Sequence, residues 1–214
     1  MVISVCSENS VVLAIKVGGI MELNKIMPKF EFNEIHSIRV HAAPTDVLKA
    51  IEQFTISEIS RLVFLLLWLR ELPSKLFSHR LSAGKHTKDI PALHLLDDQH
   101  GGFARLLIKT DVEIVYGFVS KFWKLLSEEN LPITDTQSFS ACNTPGFGKV
   151  ACNFIALEDN DYTIVQTETR ISAPDKKTLR KIQFYWRLIR LGSGLTRILM
   201  LRAIKRRAES LLKE

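Results

Sequence analysis

The sequence predicts an α+β fold in which a curved antiparallel sheet wraps around one long C-terminal helix. Two observations carry this prediction. A long helical pattern begins near Asp175 and continues towards the end of the chain. Before it, short segments of alternating polar and apolar residues follow one another with turn residues between them, which is typical of antiparallel strands. Because one face of the helix is apolar, we expect it to pack across the sheet.

The first strand is predicted at residues 30–42, where polar and apolar side chains alternate. A two-residue period places alternate side chains on opposite faces of a sheet. One face would carry Phe32, Glu34, His36, Ile38 and Val40. The other would carry Asn33, Ile35, Ser37, Arg39 and His41. We expect only the first of these faces to be buried.

Two short helices are predicted after this strand. Pro44 suits the first turn of a helix, which would end near Phe54. Ser57 is a favourable N-cap for a second helix, which contains an unbroken apolar run at residues 62–69 and stops at Pro73. The run is too short to cross a bilayer, so we expect the protein to bury it.

Five further strands are predicted, at residues 103–109, 112–123, 136–142, 149–157 and 162–173. Turn-forming residues separate several of them, and such short connections join neighbouring strands into meanders. Between the helices and these strands, residues 74–91 are predicted as a loop and residues 90–98 as a short helix. On the last strand Gln166, Glu168 and Arg170 share one face, which we expect to be a solvated, salt-bridged surface.

The final helix carries two apolar stripes when its residues are placed at intervals of about 100°. The inner stripe, which should face the sheet, consists of Leu179, Ile182, Trp186, Ile189, Ser193, Thr196, Met200, Ala203, Ile204 and Leu211. The outer stripe consists of Phe184, Leu188, Leu191, Leu195 and Leu199. It needs cover from residues 62–69, from another subunit or from a membrane surface, and we favour residues 62–69. Gly192 and Gly194 each cost a helix roughly 1 kcal/mol relative to alanine, which predicts a kink or a close backbone approach.

Size and composition predict one ordered globular domain. The chain has 214 residues, of which 46% are hydrophobic and 24% are charged, and disordered chains are far less hydrophobic. We place the domain at residues 27–214 and treat residues 1–26 as an N-terminal extension of uncertain status. Apolar residues between 11 and 20 are interrupted by Lys16 and lack the preceding positive charge of a secretory signal.

Basic residues are concentrated in the final helix. Residues 176–214 contain 12 Lys and Arg and 2 acidic residues, a net charge of +10, whereas residues 1–175 contain 17 and 21, a net charge of −4. A basic face can meet phosphate, anionic lipid or an acidic partner, so peripheral membrane contact stays open. Nucleic-acid binding is disfavoured, because we expect no exposed aromatic residues among the basic ones. Monomer and homodimer both stay open.

Neither a disulfide framework nor a structural zinc site is expected from the three cysteines, Cys6, Cys142 and Cys152. Their spacing fits a reducing cytoplasm. Asp97, Asp98 and His100 lie close together but have no fourth ligand at a suitable spacing, so no metal is predicted. The chain contains no phosphate-binding loop and no dinucleotide fingerprint, so no cofactor is predicted either.

Six segments carry a family resemblance, at residues 39–47, 113–123, 145–154, 167–170, 185–195 and 201–207. The Ala42-Ala43-Pro44 junction is a general trait, whereas Tyr185-Trp186 and Gly192-Ser193-Gly194 are more particular. Over about residues 28–210 the chain resembles an uncharacterised bacterial branch of the START-like, polyketide-cyclase-like superfamily known as SRPBCC, which has the helix-grip fold. The resemblance implies a cavity between sheet and C-terminal helix, which in relatives holds lipids, sterols, polyketides or other apolar molecules. It carries no catalytic residues over.

The predicted function is binding of a small hydrophobic ligand, lipid-like or polyketide-like, in this cavity. Its walls are expected to be Ile114, Tyr116, Phe118, Phe154, Val165, Trp186 and Ile189. One alternative is a cyclase-like or hydrolase-like enzyme, because strand parity places Glu34, His36 and Tyr116 in the cavity, where they could transfer protons. A second alternative is a membrane-surface or partner-binding protein that acts through its basic C-terminal helix.

Overall fold

A computed structural model of the chain describes residues 21–59, 91–93, 104–124 and 129–211. The helices are α1 (Glu22–Ile26), α2 (Pro44–Gln53), α3 (Thr136–Ala141) and α4 (Lys176–Ser210), with a 3-10 turn at Ile56–Glu58. The strands are β1 (Phe32–Val40), β2 (Arg105–Lys109), β3 (Glu113–Ser120), β4 (Asn130–Leu131), β5 (Gly148–Asp159) and β6 (Tyr162–Ser172). The apolar run 62–69, most of the predicted loop and short helix up to residue 98, and the Asp97–Asp98–His100 group lie outside these residues.

The six strands form one curved antiparallel sheet, which confirms the α+β class. Their order is β1-β6-β5-β3-β2, and β4 pairs with the end of β3. The long β5–β6 hairpin turns at Asn160, whose φ of 55° is tolerated by asparagine better than by most residues. The predicted short helix after the first strand is confirmed as α2, with Pro44 in its first turn.

One side of the sheet, here called the α4 face, packs against α2 and α4. Helix α4 is continuous and is capped by Asp175, whose side chain accepts hydrogen bonds from the Thr178 backbone N–H at 2.8 Å and hydroxyl at 2.6 Å. Its predicted inner stripe is buried at Ile182, Trp186, Ala203 and Ile204, whereas Leu211 is exposed at the helix end.

The opposite side of the sheet, here called the α1 face, is also covered. Helix α1, which the sequence prediction left in the N-terminal extension, packs with α3 against this face, where Leu23 and Phe139 are completely buried. As a result Asn33 and Ile35 are buried as well as Phe32 and Glu34. The prediction that the first strand buries only one face is therefore wrong for its first half.

One predicted strand, at residues 136–142, is wrong, because Thr136–Ala141 forms α3. A capping box starts this helix: Asp135 accepts from the Ser138 N–H at 2.7 Å, and the Ser138 hydroxyl oxygen accepts from the Asp135 N–H at 3.0 Å. These local hydrogen bonds stabilise a helical first turn over an extended chain. The strand of this region is instead β4, which the sequence analysis missed. Among the described residues, no helix combines the length and apolarity needed to cross a bilayer.

Candidate functional site

A charged group lies on the α4 face, between the sheet and α4. We call it the α4-face cluster: Glu34, His36, Thr169 and Arg197. Nε2 of His36 donates to Oε1 of Glu34 at 2.9 Å, and Nη1 of Arg197 lies 3.4 Å from Oε2 of the same carboxylate. Nη2 of Arg197 donates to the Thr169 hydroxyl at 2.6 Å. Sheet and helix are therefore joined by hydrogen bonds and an ion pair in a seam bordered by apolar clusters.

The backbone brings these side chains together. Glu34 and Thr169 are direct partners across β1 and β6, and direct partners point to the same face of a sheet. Helix α4 approaches closely at Gly194, where a Cβ atom would lie only 2.6 Å from Oε1 of Glu34. This contact confirms the predicted close approach at the glycine pair. A larger residue there would push α4 away from the carboxylate.

The cluster continues as a row of polar side chains across the sheet. Thr169 pairs with Cys152 and Cys152 pairs with Tyr116, so all of them share the α4 face with Glu34. Burial raises the pKa of the Cys152 thiol, and the positive charge of Arg197 opposes that rise in part. Tyr116 lies three strands away from Glu34 across the sheet, a distance of roughly 14 Å at about 4.8 Å per strand. The structure thus joins Glu34 to His36 but places Tyr116 apart from them.

The seven predicted wall residues lie together on the α4 face and its helix. Ile114, Tyr116, Phe154 and Val165 belong to one buried apolar cluster, Trp186 belongs to the next, and Phe118 contacts both. Ile189 packs against the cluster that contains Trp186. The indole N–H of Trp186 is buried and has no hydrogen-bond partner within the described chain. Their grouping follows the prediction, and their role in ligand binding stays a prediction.

One cleft formed by described residues lies elsewhere. It is an open cleft of about 660 Å³ at the C-terminal end of α4, lined by Glu58, Ala203, Arg206, Arg207, Ser210 and Leu211. A second space, of about 10 Å³, lies beside Phe147 on the other side of the sheet from α4. Neither includes a predicted wall residue. The predicted walls belong instead to the two apolar clusters described above.

A second charged group lies on the opposite side of the sheet. We call it the α1-face cluster: Glu113, Asn153, Glu168 and Arg170. Arg170 forms a two-pronged ion pair with Glu168 at 2.7 and 3.1 Å and donates to the carbonyl of Met27 at 3.0 Å. Its guanidinium also donates to the Asn24 side chain at 2.6 Å and stacks over the Phe30 ring at 4.7 Å. Arg170 thus ties the α1 segment to the sheet.

Glu113 holds the other end of α1. Its carboxylate accepts from the backbone N–H of Glu22 at 2.5 Å and of Leu23 at 3.3 Å, both in the first turn of the helix. It also accepts from the side chain of Asn153 at 2.7 Å. A carboxylate is favourable at this place, because the first N–H groups of a helix have no intrahelical partners and carry partial positive charge.

The sequence analysis missed the α1-face cluster. The prediction of a solvated surface at Gln166, Glu168 and Arg170 is wrong, because all three residues are buried. Arg170 in particular bonds to the α1 segment. Gln166 is completely buried, and neither polar atom of its amide has a partner among residues with described positions. A signal was available in the helical spacing of Leu23, Ile26 and Met27, which gives this segment an apolar face.

No group of three or more metal-binding side chains occurs in the described ranges. The predicted absence of a metal is not tested by this, since Asp97, Asp98 and His100 lie outside those ranges. Cys142 and Cys152 are both free thiols.

No protein-family model matches the chain, and no curated protein matches it in sequence. Among solved structures, it is similar to TTHA0849 from Thermus thermophilus, with 8% identity and a TM-score of 0.31, over 84% of this chain and 98% of that one. It is also similar to the hypothetical protein jhp0584 from Helicobacter pylori, with 11% identity and a TM-score of 0.31, over 82% and 87% of the two chains. Similarity at this level establishes neither family nor function. The antiparallel sheet with its C-terminal helix is compatible with a helix-grip fold.

Proposed function

We propose that the chain binds a small apolar ligand with one polar end, lipid-like or polyketide-like, between the sheet and α4. The observation that carries the proposal is the α4-face cluster. Glu34 and Arg197 meet in a seam bordered by apolar clusters that contain Trp186 and Val165. Removing two charges from water costs several kcal/mol per ion, and well-packed apolar residues often stabilise a protein as well or better. A role in recognition accounts for charged groups in this position.

The available donors favour a ligand with an acceptor group, such as a carboxylate, carbonyl or hydroxyl. The planar N–H groups of Arg197 suit a carboxylate in particular. In this structure they bond to Glu34, Thr169 and Ser193, so a ligand would take the place of one of these partners. The indole N–H of Trp186, which has no partner among the described residues, is a second donor about three turns earlier in α4. The apolar body of the ligand would contact the predicted walls, Ile114, Tyr116, Phe118, Phe154, Val165, Trp186 and Ile189.

In this proposal a ligand reaches the seam between the sheet and α4 beside the α4-face cluster. Two side chains of the cluster are partly accessible, with 18% exposure for Arg197 and 17% for His36, whereas Glu34 is 6% exposed. We also propose a cytoplasmic location, which the spacing of the cysteines supports. The order of helices and strands supports membership of the helix-grip family.

Native mass spectrometry of the purified chain, followed by denaturing extraction, tests this function. We expect a fraction of the protein to carry a small molecule, and extraction should release an apolar compound with an acceptor group. Arg197→Met should reduce the bound fraction by about tenfold, because a charge-assisted hydrogen bond is lost. Arg202→Met is the matched control, since it removes the same charge from an exposed position on the same helix.

The proposal is wrong if mass spectrometry detects only ligand-free protein and tryptophan fluorescence does not change when a fatty acid is added. Equal loss of ligand in the Arg197 and Arg202 variants would move the binding site away from the α4-face cluster.

A second candidate function is acid–base catalysis, and the hydrogen bond between Glu34 and His36 favours it. A carboxylate that holds an imidazole is a common arrangement for a general base. Under this hypothesis Glu34→Gln and His36→Ala abolish turnover of a bound ester or polyketide-like substrate and change its affinity by less than about tenfold. The hypothesis is contradicted if the unsubstituted protein shows no turnover and the two substitutions only weaken ligand binding.

A further inference from the structure

The outer stripe of α4 is uncovered by the described fold. Phe184, Leu188 and Leu191 are 75%, 72% and 88% exposed, and Leu195 continues the stripe at 36%. The sequence analysis favoured cover by residues 62–69, which lie outside the described ranges. Contiguous exposed apolar side chains on a folded domain mark interaction sites. The opposite side of α4 is held by the sheet through Ile182 and Ile204, so the outer stripe is the side of this helix that a partner can reach.

Basic residues surround the stripe. At about 100° per residue, its four exposed side chains fall within roughly 60° of the helix circumference. Lys177 and Arg202 lie in line with it at its two ends, and further basic residues flank it on both sides: Arg180, Lys181 and Arg187. All five are exposed. None forms a salt bridge with a described residue, and the helix has no acidic residue between 176 and 208.

We propose that this surface rests on an anionic lipid bilayer. Phe and Leu side chains bordered by Lys and Arg are the composition of a helix that lies in the interface of a membrane, with the apolar groups in the acyl region and the cations among anionic headgroups. The five exposed positive charges supply the charge complementarity. A second copy of this chain fits poorly, because an isologous contact would bring two such basic surfaces together.

The fold limits how this contact can form. Helix α4 is fixed to the sheet along its inner stripe, and none of the described helices is apolar enough to span a bilayer. The helix must therefore lie parallel to the membrane plane and insert no deeper than the stripe side chains. Exposure of Phe184 corrects the expectation that the basic helix has no exposed aromatic residue, and an aromatic ring suits the interfacial region.

Co-sedimentation of the whole chain with vesicles tests the proposal. Vesicles of phosphatidylcholine with phosphatidylglycerol should bind the protein, vesicles of phosphatidylcholine alone should bind it far less, and added salt should release it. Lys181→Gln with Arg187→Gln should lower the partition coefficient by about tenfold or more. Leu188→Gln with Leu191→Gln should lower it by a similar factor, since the inserted apolar area is lost.

The matched control is Lys25→Gln with Lys49→Gln. It removes the same charge from exposed positions on α1 and α2 and should leave the partition coefficient unchanged. Because the substituted residues of α4 are exposed, all variants should keep the urea midpoint of the unsubstituted protein. Failure to bind anionic vesicles, or equal binding by all variants, overturns the proposal. So does a dimer in sedimentation velocity that the leucine double substitution converts to monomer, which would assign the stripe to self-association. Binding to an acidic protein or a DNA duplex in preference to vesicles would also overturn it.

Discussion

The sheet carries a charged cluster on each face, and the two differ in how completely they are closed. In the α1-face cluster the side chains of Arg170 and Glu168 are 7% and 4% exposed, and the guanidinium donates to carboxylate, amide and carbonyl oxygens together. In the α4-face cluster Arg197 is 18% exposed, and its bond to Glu34 is long at 3.4 Å. The closed cluster attaches the α1 segment to the sheet, whereas the more open one joins the sheet to α4.

The same strand supplies both clusters. Glu168 and Arg170 point to one face of β6 and Thr169 points to the other, as the two-residue period of a strand requires. The difference between the clusters therefore comes from what covers them. A short segment held by backbone carbonyl and amide contacts seals the first, and a long helix with a glycine at the contact covers the second.

The largest effect should separate the two arginines. Arg170→Met should lower the free energy of unfolding by about 3–5 kcal/mol, because Glu168 is left as an uncompensated buried charge. Arg197→Met should cost only about 1–2 kcal/mol, since its partner retains His36 and some solvent. Urea denaturation at neutral pH measures both. Lys25→Met, in an exposed pair with Glu22, is the control and should change stability by less than about 1 kcal/mol. Equal losses for the two arginines would remove the distinction between the clusters.

The second effect concerns the glycine contact. Gly194→Ala places a methyl group 2.6 Å from Oε1 of Glu34, so either the carboxylate or the helix has to shift. We expect a net loss of about 1–2 kcal/mol, since the strain outweighs the higher helix propensity of alanine. Gly192→Ala, two positions earlier in the same helix, tests propensity alone and should be neutral or stabilising. A gain in stability from both variants would show that α4 approaches the sheet less closely than this contact implies.

The third effect is a gain. Gln166 lies beside the α1-face cluster with both polar atoms of its amide unpartnered within the described part of the chain. Gln166→Met keeps the length of the side chain and removes the buried polar atoms, so the free energy of unfolding should rise by about 1–2 kcal/mol. Thermal unfolding measures the change. Destabilisation by this substitution would mean that the amide does have a hydrogen-bond partner in solution.

The smallest effect depends on pH and concerns Asp175, the N-cap of α4. Hydrogen bonds from Thr178 and from the backbone N–H of Gly146 lower the pKa of Asp175 from 3.8 to about 2. A carboxyl whose folded-state pKa is depressed stabilises the fold above its unfolded pKa and loses that contribution as pH falls through the folded value. Asp175→Asn should therefore lower the unfolding temperature above about pH 4, and the gap should close as the pH approaches about 2. If the difference in unfolding temperature stays constant across this pH range, the effect comes from the geometry of the cap and not from its charge.

Local patterns were sufficient for much of the architecture. The Pro44 helix, the long hairpin of β5 and β6, and the helix that starts after Asp175 depend on turn residues, caps and periodicity within a short stretch of chain. The close approach at Gly194 was also predictable, because two glycines in a long helix need a packing reason. The pairing of Glu34 with His36 followed from the period of one strand.

Contacts between distant segments decided the rest. Burial of Glu168 and Arg170 depends on the α1 segment, more than a hundred residues away in the chain, and a strand pattern cannot reveal which segment covers it. Residues 136–142 are a separate case, since their pattern is compatible with a strand and the local Asp135–Ser138 capping box decides for a helix.

The sequence by itself determined the α+β class, the helix with two apolar stripes and the polar residues on one face of the first strand, because each depends on local periodicity. Only the tertiary structure decided that Arg197 joins Glu34, that Tyr116 lies apart from them, and that most of the outer stripe is left uncovered by the described part of the chain. The physical reason is that burial and pairing are properties of surfaces brought together by folding, whereas periodicity is a property of the chain.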